Sequence, residues 1–168
     1  MGQVYLSLAD YPNLKQGAQG HSVEVLQRRI NQRFAEYSHE VGLVKVTGYF
    51  DSTLTQAVKY LQRVAFLSVD GVVGLQTWEF LLNGAEMLPI LGLGSCGATV
   101  WNLQQMLDQL GVATPVNGIF DSHLVTQVKR YQSIHRLPEL GVVESATWKA
   151  LIAERMRLPH GQTLPWVA

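Results

Sequence analysis

Residues 46–81, VTGYFDSTLTQAVKYLQRVAFLSVDGVVGLQTWEFL, return seventy residues later as 116–151, VNGIFDSHLVTQVKRYQSIHRLPELGVVESATWKAL, with sixteen of thirty-six positions identical and no gap. The identities include Gly48, Phe50, Asp51, Leu54, Val58, Lys59, Gln62, Gly71, Thr77, Trp78 and Leu81. Such self-similarity marks a duplicated structural unit, and each copy must supply its own hydrophobic face. Upstream the match resumes at an offset of 77, pairing Leu14, Gly17, Gly20, Val23, Leu26 and Gln27 with Leu91, Gly94, Gly97, Val100, Leu103 and Gln104. The difference of seven places an insertion in the first copy, within FAEYSHEVGLVK at 34–45. The copies extend over residues 12–84 and 89–152, with NGAEMLP as a linker punctuated by Gly84 and Pro89, and with flanks at 1–11 and 153–168.

Each copy reads as three short helices. Val23, Leu26, Ile30 and Phe34 fall on one stripe, repeated by Val100, Leu103, Leu107 and Leu110, with Ser22 as the expected N-cap of the first and Gly111 placed to end its counterpart. Leu54, Ala57, Val58 and Leu61 form the middle stripe, matched by Leu124, Val128 and Tyr131, with Asp51 or Ser52 and Asp121 or Ser122 as caps. Thr77, Trp78, Leu81 and Leu82, then Thr147, Trp148, Leu151 and Ile152, mark a brief third helix. Glycines in VTGYF, VNGIF, VDGVVG and LGVVE supply tight turns, and the paired valines suit a short extended stretch. The expected class is all-α, two tandem three-helix bundles with Gly-rich turns.

Composition narrows the function. Hydrophobic residues make up 47% and charged residues 15%, and 13 basic residues balance 13 acidic ones. A nucleic-acid binder carries a basic excess and a disordered chain a low hydrophobicity, so neither class fits. A lone cysteine, Cys96, excludes an internal disulfide. No apolar run is long enough to span a bilayer, and the N-terminus lacks the basic and apolar regions of a secretory signal.

The stretches LKQGAQGHSVEVLQRRI, GYFDSTLTQAVKYLQ and VDGVVGLQTWEFL together resemble the peptidoglycan-binding domain 1 module: a Gly-x-x-Gly-x-x-Val-x-x-Leu-Gln helix, a D-G-x-F-type turn opening a helix that ends in aromatic-Gln, and a D-G-x-x-G-x-x-T-W turn. The resemblance covers nearly all of residues 12–152, twice. It implies a compact helical fold that holds cell-wall enzymes on peptidoglycan, and a cell-envelope or periplasmic location, the cytoplasm being the alternative. This sequence departs from the pattern where Thr47 and Asn117 replace Asp, where Leu75 and Ser145 replace a proline, and where Leu140 and Glu144 stand in place of Asp70 and Gly74. If that turn takes part in binding, the first copy is the better module.

No catalytic constellation is present. The histidines His21, His39, His123, His135 and His160 lack helical zinc-site spacing, so no metal or cofactor is expected. Cys96 reads as an inert turn residue. Trp78 and Trp148, each before leucines at helical spacing, read as core rather than sugar platforms. Gln27, Gln62, Gln104 and Gln132 lie on apolar stripes, so their amides must be satisfied, and the glycine turns are the natural partners. The ligand-binding candidates are Tyr49, Asp51, Lys59, Tyr60, Gln62, Arg63, Lys129 and Arg130; the tyrosines and basic residues among them read either as an ordinary solvated helix face or as a cationic, aromatic-edged groove for stem-peptide carboxylates and glycan hydroxyls. The expected function is non-catalytic peptidoglycan binding. The alternative is a protein-interaction scaffold, using the flanks with Leu164, Trp166 and Val167 as an apolar hook.

Overall fold

The computed structural model of the protein describes residues 11–37 and 43–157. Among these residues six α-helices follow in order: α1 (His21–Tyr37), α2 (Ser52–Val64), α3 (Leu75–Asn83), α4 (Ala98–Gln109), α5 (Ser122–Ile134) and α6 (Ser145–Arg157), with a short 3₁₀ helix at Gly84–Met87. Among the described residues there are no strands, only isolated bridges that include Leu14 with Val73 and Leu91 with Val143. The fold is all-α and tandem, as the repeat requires. Among the described residues, the chain divides into a first unit that ends at Met87 and also takes in Met156 and Arg157, and a second unit of Leu88–Arg155.

The stripes bury as their periodicity demands. Val23, Leu26, Ile30 and Phe34 are fully buried, as are Leu54, Ala57, Val58 and Leu61 within about a percent. Phe80 joins Thr77, Trp78 and Leu81 inside the first unit, while Leu82 and Leu110 are only half-buried. Trp78 and Trp148 are core residues, 1% and 0% exposed, and each indole donates a 2.8 Å hydrogen bond to an equivalent carbonyl, Pro12 and Pro89. A buried tryptophan needs such a partner for its one polar atom.

Caps decide the helix starts. Asp51 and Asp121, rather than the serines after them, accept from Leu54 N at 2.7 Å and Leu124 N at 2.8 Å. Ser22 is not a cap. Helix α1 starts two residues earlier than a Ser22 cap implies, at His21, because Gly20 at φ 102° turns the chain and its carbonyl accepts from Val23 N at 3.0 Å. Gly111, at φ 77°, follows the C-cap of α4 as expected.

The insertion has a structural use. Helix α1 has 17 residues against 12 in α4. Its added turn carries Arg33, Phe34 and Tyr37 to the C-terminus of α3, where Arg33 Nε donates to the Leu81 carbonyl at 2.9 Å and pairs with Glu36. A guanidinium suits the negative end of a helix. Tyr37 stacks on Phe80 at 6.2 Å and its hydroxyl accepts from Ala85 N at 3.0 Å. The NGAEMLP stretch is therefore no free linker: Gly84 and Ala85 are buried under these two side chains.

Candidate binding site

Four buried glutamines organise the loops. Each projects from an apolar helix stripe and holds a glycine turn by its backbone. Gln27 Oε1 accepts from Thr47 N at 2.9 Å and Gly48 N at 3.0 Å, and its Nε2 donates to the Tyr49 carbonyl at 3.2 Å. Gln104 does the same to Asn117 N, Gly118 N and the Ile119 carbonyl at 3.0, 2.7 and 2.9 Å. Gln62 takes Asp70 N and Gly71 N at 3.2 and 2.9 Å and donates to the Val72 carbonyl at 2.9 Å. Gln132 takes Gly141 N at 2.9 Å and donates to the Val142 carbonyl at 2.8 Å. All four are 1% exposed, and their bonds to the amides of Gly48, Gly71, Gly118 and Gly141 are buried.

The turns at Gly71 and Gly141 show why glycine is required. Their φ angles are 78° and 72°, and an added Cβ would stand 2.9 Å from Lys59 Cε and Lys129 Cε respectively. The lysine stems thus cover equivalent turns. Where the two units part is the residue before the glycine. Asp70 Oδ1 accepts from Val72 N at 2.8 Å and from Gln62 Nε2 at 2.9 Å. Leu140 offers no acceptor there and is 55% exposed.

Beside the Asp70 turn lies an open cavity of about 180 Å³, lined by Gln62, Leu67, Ser68, Asp70, Val72, Gly74, Leu75, Gln76 and Thr77. Gly74 caps α3 without a side-chain acceptor, so the first amides of that helix stand uncapped at the rim. Ser68, Asp70 and Gln76 are exposed, and Leu67, Val72 and Leu75 add apolar wall. This combination of carboxylate, hydroxyl, amide and aliphatic surface suits an amide- and hydroxyl-bearing ligand. In the second unit the corresponding positions are Pro138, Leu140, Glu144, Ser145 and Ala146 for Ser68, Asp70, Gly74, Leu75 and Gln76.

The sequence-derived candidates separate into groups. Gln62 lines the cavity but spends its amide on the turn. Lys59 packs over Gly71 and is half-buried, while Lys129 covers Gly141. Tyr49 is 57% exposed beside the first turn, and Asp51 is committed to its cap. Arg63 and Arg130 are exposed on α2 and α5. Tyr60 is not a groove edge: it is 4% exposed, packs edge-on against Phe34 at 5.7 Å, and donates to the Met156 carbonyl at 3.3 Å. Burial pushes its hydroxyl up to about 12, with the Arg63 charge pulling the other way. Sequence reasoning missed Ser68, Leu75 and Gln76. The signal available was the divergence of their turn between the copies.

No group of three or more metal-ligating side chains gathers among the described residues. His135 lies 3.3 Å from Glu154, whose other oxygen accepts from Tyr131 at 2.8 Å. Burial and that carboxylate raise the Tyr131 hydroxyl pKa strongly. Cys96 is exposed. His39, His160 and the Leu164, Trp166, Val167 segment lie outside the described residues.

The family model described as “Putative peptidoglycan binding domain” matches residues 19–81 and again 96–151. The chain belongs to this peptidoglycan-binding domain family. No curated protein and no solved structure matches it. The two matches fall one within each unit, and both span the glutamine-held turns. No helix among the described residues is long and apolar enough to cross a membrane.

Proposed function

We propose that the chain is a non-catalytic peptidoglycan-binding protein of the cell envelope whose first unit holds the polymer at the cavity beside the Asp70 turn. The observation that carries this reading is the coincidence of two family matches with one open, mixed polar and apolar concavity of about 180 Å³. Peptidoglycan presents amides, hydroxyls and carboxylates. Asp70 has a second carboxylate oxygen free of protein hydrogen bonds, which accepts an amide or hydroxyl proton, and the uncapped α3 amides donate to a carbonyl or carboxylate.

A shallow site on a small bundle binds weakly. Joining two units in one chain raises the effective concentration of the second once the first is engaged, so duplication has a physical advantage on an insoluble polymer. With zero formal net charge there is little long-range attraction, and binding rests on short-range contacts with a mild salt dependence. Lys59 and Arg63 add local positive charge near α2 for stem-peptide carboxylates.

Co-sedimentation with purified sacculi tests the reading, with an unrelated protein of similar size as control. The intact chain is expected in the pellet, and Gln76→Trp, which fills the cavity from an exposed helical position, is expected to reduce the pelleted fraction without lowering the melting temperature. Retention of the intact chain in the supernatant at every salt concentration would leave the protein-interaction alternative as the better account.

A further inference from the structure

The end of each unit that holds its first glycine turn presents an exposed aromatic side chain, but on a different element in each. In the first unit it is Tyr49, in the turn itself, 57% exposed; the helix position facing that turn is Glu24, whose Cγ lies 3.4 Å from where a Cβ on Gly48 would stand. In the second unit the turn residue is Ile119, and the aromatic has moved to the helix position equivalent to Glu24, as Trp101, 42% exposed. Trp101 Cβ lies 3.8 Å from the same point on Gly118. The backbone beneath is the same in both: Gly20 N to Gly48 O at 2.8 Å and Gly97 N to Gly118 O at 2.9 Å, with bridges Gln19 to Tyr49 and Cys96 to Ile119. Turn and helix start are thus locked together in each unit, and the aromatic is carried on a rigid mount.

Both rings stand outside the buried core, whose tryptophans, Trp78 and Trp148, are hydrogen-bonded elsewhere. What the two ends share is an exposed ring beside a polar turn residue, Thr47 in one and Asn117 in the other. We propose that Tyr49 and Trp101 are stacking platforms for pyranose rings of a glycan strand, a second contact region apart from the Asp70 cavity. A sugar ring offers an apolar C–H face to an aromatic and its hydroxyls and acetamido group to the flanking turn, whereas an apolar protein surface would need far more contact area than these few side chains provide. The inference rests on the peptidoglycan reading and assigns the glycan, rather than the stem peptide, to this end.

Calorimetric titration of the full chain with a soluble tetramer of β-1,4-linked N-acetylglucosamine tests it, because that probe carries no stem peptide. Tyr49→Ala and Trp101→Ala are each expected to weaken binding by about two- to tenfold, the double variant to abolish it, and Trp101→Phe to restore most of the loss, with unchanged melting curves. Sacculus co-sedimentation is run beside it. If the chain pellets with sacculi yet ignores the tetramer, or if the double variant binds the tetramer as the parent does, the platform assignment falls and the wall-binding reading stands. If sacculi are not bound either, both fall. Sedimentation velocity covers the remaining occupant: a dimer that Trp101→Ala dissociates, without saccharide binding, would overturn the proposal in favour of a second copy.

Discussion

Replacing Gln62 by leucine tests whether the glutamines are what fixes the loops. The side chain is 1% exposed and fills its space, so leucine is a near-isosteric exchange that removes only polar contacts. It strands the Gly71 amide, bound at 2.9 Å, takes from the Val72 carbonyl its 2.9 Å donor and leaves only a 3.5 Å contact from Thr77 Oγ1, and removes one of the two donors to Asp70 Oδ1. Gly71 is buried, so its N–H cannot turn to water. A stranded buried group costs about 1–3 kcal/mol. Counting the amide and the weakened carbonyl as two such groups, and with the added apolar burial offsetting about 1 kcal/mol, the first unit should lose about 1–5 kcal/mol. Urea unfolding followed by circular dichroism gives the total, and hydrogen exchange at Gly71 localises it. A change within about 0.5 kcal/mol, the usual scatter of a surface substitution, would refute the reasoning, because it would mean that the turn stands without its amide.

Other outcomes follow from the same contacts. Leu140→Asp should stabilise the second unit by about 1 kcal/mol, since the carboxylate would accept from Val142 N and Gln132 Nε2 as Asp70 does in its own turn; a lowered melting temperature counts against the equivalence. Trp78→Ala and Trp148→Ala should each cost about 3–5 kcal/mol, measured by denaturant unfolding, and a sugar-binding defect without a stability defect would reverse their assignment to the core. Tyr60, raised from its ordinary value to about 12 by burial, is more easily ionised in the unfolded chain; its contribution to stability is full below pH 10 and is lost as pH rises from 10 to 12. Tyr60→Phe should flatten that part of an alkaline stability profile.

Much of this fold could be read from spacing because periodicity and burial report the same thing. A stripe such as Val23, Leu26, Ile30, Phe34 leaves one face for the core, and a glutamine caught on that face, Gln27 or Gln62, has to find backbone partners nearby. The glycine turns were the only dense source of unpaired amides. Tyr60 escaped this logic. Its neighbours Lys59 and Arg63 suggested an open face, yet the insertion in the first copy extends α1 to Phe34 and beyond, and that extra turn covers the ring. The same insertion turned an expected linker into a capped 3₁₀ helix, since Arg33 and Tyr37 supply partners for Leu81 and Ala85 that no local pattern announces. The cavity was legible only indirectly, because a concavity is a property of how a turn and a helix start sit together and not of either one.

The two copies diverge in a way that separates holding the fold from meeting a ligand. Of the residues lining the cavity, Gln62, Leu67, Val72 and Thr77 are identical to their counterparts, while Ser68, Asp70, Gly74, Leu75 and Gln76 are all replaced. The retained set forms the inner wall: Gln62 and Thr77 are buried and hydrogen-bonded to each other at 3.2 Å, and Gln132 keeps the same bond to Thr147 at 3.0 Å. The replaced set is the rim. Packing constrains the wall in both units, because a stranded amide or a lost methyl costs stability wherever it occurs. Packing constrains the rim less, since apart from the Asp70 carboxylate that braces its own turn, exposed substitutions there cost little. Exchange of the whole rim, from Ser, Asp, Gly, Leu and Gln to Pro, Leu, Glu, Ser and Ala, therefore changes the chemistry of this surface while the glutamine-held wall is kept. Under the peptidoglycan-binding proposal, this divergence assigns the second unit's share of the binding to its Trp101 end rather than to its Gly141 turn, and it sets the two units apart in surface chemistry more than in fold.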